Sequence, residues 1–237
     1  MSAINDSSPV TRSARFRSAA FMFLLGAAVL LLASVVIQQQ ASIQRVEMFT
    51  GELEGDVPGV DPREQFAATA RLYGLSNILK ALGILALAAG MLALPRAAGR
   101  RRSVVAGSVA AILAAVAFGI LAVLAMDEGS TGAQSLVMDP ALPLRMLLLL
   151  SIVGLVAAAL WWRGTSRPAV IGCLFLLGST VLGDFVANIF LAPLLAGHPW
   201  SESFGWTQVL VMGATAAAGI SMLFAAGTVR PRARRAG

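Results

Sequence analysis

One cysteine and one histidine occur in 237 residues. The lone Cys173 excludes a disulfide framework and any CxxC chemistry within the chain. The lone His198 excludes bis-histidine haem ligation and a histidine-rich metal centre, so no cofactor and no metal are expected. Charge is scarce as well: Asp, Glu, Lys and Arg make up 13% of the residues, against roughly 25% in soluble domains. HExxH, GxSxG and Walker-lysine patterns are all missing, and with them the zinc, serine-nucleophile and phosphate chemistries they carry.

What the chain has instead is apolar sequence, 57% by composition with a mean hydropathy of +0.79. It is gathered into six blocks, at about 18–40, 73–94, 103–126, 143–162, 168–195 and 206–228. Each exceeds the roughly 18 residues that mark a membrane-spanning helix. The expected fold is therefore all-α, a polytopic bundle of six transmembrane helices in the lipid bilayer, forming one domain over 18–228 between basic tails at 1–17 and 229–237. The net charge of +6 does not indicate nucleic acid, because the arginines flank apolar blocks rather than forming a basic folded face.

The flanking charges set an orientation. Arg12, Arg15 and Arg17 precede the first block, and Arg96, Arg100, Arg101 and Arg102 follow the second. Arg163 and Arg167 follow the fourth, and Arg230, Arg232, Arg234 and Arg235 follow the sixth. By the positive-inside rule these connections and both termini are cytoplasmic. The first block is longer than the 7–15 residues of a signal-peptide core and reads as a retained anchor. Seventeen of the 18 basic residues are arginine, a bias that fits a high-GC bacterial genome and places the protein in an inner membrane. Trp161, Trp162, Tyr73, Trp200 and Trp206 fall where interfacial aromatic belts are expected.

The one substantial outside segment is 41–72, expected as a helical hairpin between helices one and two. Gly51 is positioned as a helix stop. "DPREQF" reads as a helix start, with Asp61 as N-cap, Pro62 first in the helix and Glu64 completing a capping box. Glu47, Glu52, Glu54, Asp56, Asp61 and Glu64 make this hairpin an acidic docking surface or simply a solvated tip; their spacing matches no EF-hand loop.

Small residues recur every four positions in the third block (Gly107, Ala111, Ala115, Gly119) and in the sixth (Gly213, Ala217, Ser221, Ala225). Such stripes allow close helix approach in lipid. Two ionisable residues fall well inside blocks, Lys80 and Asp184. Lys80 lies about 10 Å from Tyr73 and Asp184 about 24 Å from Pro168 at ~1.5 Å per residue, which puts them at similar depth. Thr180, Asp184 and Asn188 share one helix face, and Asn77 lies one turn from Lys80. An ion pair between Lys80 and Asp184 is expected if helices two and five are neighbours, as a staple of register or as a coupling site. "VLGD" carries only part of the GxGD pattern of intramembrane aspartyl proteases. Val181 stands in place of its first glycine, and no second intramembrane aspartate completes a dyad.

The expected function is non-enzymatic: an accessory or scaffold subunit associating with other membrane-protein subunits. The alternative is a small-solute or ion- or proton-coupled transporter using Lys80, Asp184, Asn77, Asn188 and Thr180, its substrate unspecified by the sequence.

Overall fold

The structure, a computed structural model, describes residues 9–54, 62–94, 101–131, 142–191, 194 and 204–229. Among these residues it is all-helical, with no strand. The helices are α1 (Pro9–Glu54), α2 (Pro62–Ala93), α3 (Arg101–Thr131), α4 (Leu142–Trp162), α5 (Arg167–Leu177), α6 (Val181–Val186) and α7 (Phe204–Val229). A π-helical stretch, Ala187–Leu191, continues α6.

Apolar composition dictates the helices, since backbone groups in hydrocarbon must be satisfied within their own segment. Four helices are long and apolar enough to cross a membrane: Phe16–Gln44, Glu64–Ala93, Arg101–Asp127 and Trp206–Val229. Counting the bent pair Arg167–Leu177 and Val181–Leu191 as one span makes five. The count of six is not reached, because the described apolar part of α4, Met146–Trp162, falls short of the length required. Large apolar side chains such as Val123, Val153, Leu160 and Phe224 are exposed around the bundle. Helices apolar all round belong in lipid.

The pairings close a ring. α1 packs on α2, α2 on α3, α3 on α4, α4 on α5, α5 on α7, and α7 on α1. Inside it lies a core that includes Leu24, Leu31, Ile84, Leu87, Leu155 and Met222. Trp162 is fully buried in that core with its indole against Gly107, whereas Trp161 is half exposed. Of this pair Trp161 alone is placed for an interfacial belt, since consecutive residues on a helix point about 100° apart; Trp206 is exposed as well.

Two helix ends differ from expectation. α1 runs through Gly51 to Glu54, because one glycine costs a helix only about 1 kcal/mol and does not by itself end it. The fifth block is not one helix: α5 and α6 are bent by 64° at Gly178–Thr180. There the Ser179 and Thr180 hydroxyls donate to the carbonyls of Leu176 and Leu177, at 2.8 and 2.7 Å. Backbone bonds tighten to three-residue steps, Gly178 N to Phe175 O, Ser179 N to Leu176 O and Thr180 N to Leu177 O. Hydroxyls that compete for helix carbonyls break the four-residue ladder. α2 begins at Pro62 with Glu64 in its first turn, where a carboxylate favours the helix dipole; Asp61 lies outside the described residues.

The small-residue stripes divide. Gly107, Ala111 and Ala115 are buried, but Gly119 is half-buried and Gly213 exposed, and a Cβ on either meets nothing within 4 Å. In α7 Ser221 and Ala225 are buried and Ala217 is half-buried. The tighter α3–α4 approach is made by Gly154, whose Cβ would stand 2.7 Å from the Ala110 carbonyl. Gly119→Ala and Gly213→Ala are therefore expected to leave thermal unfolding in detergent unchanged or to stabilise by about 0.5–1 kcal/mol through helix propensity. A loss above 1 kcal/mol at either would show that the stripe packs against something outside this chain.

Candidate functional site

The polar side chains inside the helices fall into two groups, because α2 packs on α1 and α3 rather than on α5 or α6. On the α1 side of α2, three contacts bridge the two helices. The Ser76 hydroxyl donates to Ser34 O at 3.0 Å, the Lys80 ammonium to Gln38 Oε1 at 2.9 Å, and the Thr69 hydroxyl to Gln44 Oε1 at 3.5 Å. Lys80 is 3% exposed. Its side chain leans toward the start of α2, as helical side chains do, and so reaches Gln38, one turn nearer the hairpin than Ser34. The expected Lys80–Asp184 ion pair is thus replaced by a Lys80–Gln38 hydrogen bond. Matching depth was met by a neighbouring helix that the depth estimate did not distinguish.

Asp184 and Asn188 are exposed on α6 and the π-helical stretch. The Asp184 backbone N donates to Thr180 O at 2.9 Å, and Asn188 Oδ1 accepts from the Thr207 hydroxyl at 3.5 Å, tying the π-helical stretch to α7.

The second group surrounds a cavity of about 260 Å³ between α2, α3, α4 and the α5–α6 break. Its polar lining is Asn77, Ser151, Ser179 and Thr180, and its apolar walls include Phe118, Leu121 and Leu148. Two of the five expected site residues, Asn77 and Thr180, therefore share one space, and Lys80, Asp184 and Asn188 do not line it. Ser151 and Ser179 were not anticipated. Ser151 is the only polar residue between Arg145 and the end of α4, and that isolation was the available signal. Gln38 was equally legible as the point where the first apolar block turns polar, in "IQQQ".

Two further polar atoms, Tyr73 OH and Gln208 Oε1, are buried without a hydrogen-bond partner among the described residues. Tyr73 precedes Asn77 by four residues and so lies on the same side of α2, one turn nearer the hairpin. Of the acidic hairpin residues, Glu64 is exposed; the side chains of Glu47, Glu52, Glu54, Asp56 and Asp61 lie outside the described part. Compared with known proteins, the chain matches no family model, no curated protein and no solved structure.

Proposed function

We propose that this chain is a non-enzymatic subunit of an inner-membrane assembly in a high-GC bacterium, acting by association through the paired ends of α1 and α2. The α1–α2 pair carries the reading. α1 has 46 residues, about 69 Å of helix against a hydrocarbon core of about 30 Å. Its apolar span ends near Gln44, and the Lys80–Gln38 and Thr69–Gln44 rungs hold α2 alongside it there. A stiff arm beyond the apolar span suits docking better than catalysis. Purification of the full chain from its native membrane in mild detergent is expected to bring down stoichiometric partners, released by the triple substitution Glu47→Lys, Glu52→Lys, Glu54→Lys. A chain that purifies alone and monodisperse would overturn the reading.

A second reading, passage of a small solute through the bundle, is favoured by the break between α5 and α6 beside a polar cavity. Non-helical backbone at membrane depth is tolerated where it borders protein or a polar space, and interrupted helices commonly form transporter sites.

A further inference from the structure

We infer that the cavity beside the α5–α6 break binds a small uncharged solute rich in hydrogen-bond donors, a polyol or a urea-like amide. The inference deepens the solute reading above and rests on it. The chemistry of the lining carries it. Each hydroxyl proton in the cavity is already committed to a carbonyl three residues back: Ser151 to Leu148 O at 2.7 Å, Ser179 to Leu176 O at 2.8 Å, Thr180 to Leu177 O at 2.7 Å. A hydroxyl whose proton is spent still offers its lone pairs, so these three oxygens face the space as acceptors. The Asn77 amide has no hydrogen-bond partner among the described residues and supplies one acceptor and two donors. Acceptors outnumber donors, and an occupant that satisfies them must itself donate.

Charge and size narrow the class. Among the described residues no ionisable side chain lines the cavity, so an ion there would lack a counter-charge from them and bear the desolvation cost alone. An anion would face hydroxyl lone pairs, and a cation would find no carboxylate among the described lining residues. At about 30 Å³ per water in the liquid, 260 Å³ is the space of about eight waters, room for a solute of the size of glycerol or urea. Phe118 and Leu121 offer apolar surface to the carbon face of such a solute. The buried Tyr73 hydroxyl, without a hydrogen-bond partner among the described residues, adds one more polar group a turn toward the hairpin end.

The test uses the full chain with its single cysteine replaced, Cys173→Ala, carrying Ser151→Cys or separately Thr180→Cys, each checked for monodispersity and reconstituted in liposomes. Thiol modification by a small neutral hydroxyethyl thiosulfonate is followed with and without glycerol or urea, and with sucrose and sodium chloride as controls. Ala158→Cys, at a fully buried position, serves as the dry reference. Reaction at both cavity positions is expected to exceed the reference. Glycerol or urea is expected to slow it severalfold, sucrose and salt are not, and the protection is lost on adding Asn77→Leu. Reaction without protection by glycerol or urea overturns the assigned ligand class and leaves a wet path for some other solute. Reaction no faster than at Ala158→Cys at both positions overturns the solute reading itself.

Discussion

Gly183→Ala is expected to destabilise the bundle by about 3 kcal/mol, the upper end of the usual overpacking cost, measured as thermal unfolding of the detergent-solubilised chain. A Cβ on Gly183 would stand 2.3 Å from the Gly178 carbonyl oxygen and 2.4 Å from its C and Cα. All three are backbone atoms, so no rotamer change relieves the clash. Gly178 is itself confined, since a Cβ there would meet Ala214 of α7 at 2.6 Å. The first turn of α6 is thus folded down onto the end of α5, and only hydrogen on both residues permits the 64° bend. Alanine at 183 must open the bend or push α5 away from α7, and either movement reshapes the cavity at Ser179 and Thr180. The prediction separates a built bend from a merely frayed one. If Gly183→Ala unfolds within about 0.5 kcal/mol of the parent, the range of an ordinary surface change, the break does not hold this geometry.

The same bend shows how far sequence patterning reaches. Hydropathy located the helices well: the apolar blocks near 73–94, 103–126 and 206–228 fall within α2, α3 and α7, and Pro62 begins α2 as its chemistry requires. Those are local properties, set by solvent and backbone geometry. The fifth block was read as continuous because its apolar character persists through Gly178, Ser179 and Thr180. The competition of two hydroxyls for helix carbonyls leaves no mark on hydropathy. That Asn77 and Thr180 line one cavity does not follow from the depths of Lys80 and Asp184; only approximate depth was legible. Partner choice was not. Lys80 at the depth of Asp184 had two helices within reach in principle, and only the ring order, with α2 between α1 and α3, gives it to Gln38. Rotation about the helix axis separates the two outcomes, and a one-dimensional pattern fixes rotation only where polar and apolar faces differ sharply. In helices apolar all round they do not.

The Lys80–Gln38 contact has the second large expected effect, and it discriminates between a structural clamp and a coupling site. A buried ammonium with one described acceptor depends on that acceptor. Gln38→Leu is expected to cost about 2–3 kcal/mol, because hydrogen bonds to charged groups are worth about 1.5–3 and the stranded group remains buried. Lys80→Met removes the group that needs solvation and leaves only a neutral amide behind, for a loss of about 1 kcal/mol. The double variant, apolar on both sides of the α1–α2 seam, is expected within about 1 kcal/mol of the parent, as replacements of whole buried polar pairs often are. The resulting coupling of at least about 2 kcal/mol is well outside the few tenths seen between independent sites. Were Lys80 instead held by Asp184, Gln38→Leu would be nearly silent and Asp184→Asn would be additive with it but coupled to Lys80→Met. Unfolding of seven chains, the parent, the singles Gln38→Leu, Lys80→Met and Asp184→Asn, and their three pairwise doubles, therefore decides which helix the lysine serves. Coupling to Gln38 fixes Lys80 as the rung that keeps α1 and α2 together toward the end of the apolar span, and leaves the cavity beside Asn77 lined, among the described residues, by uncharged side chains alone.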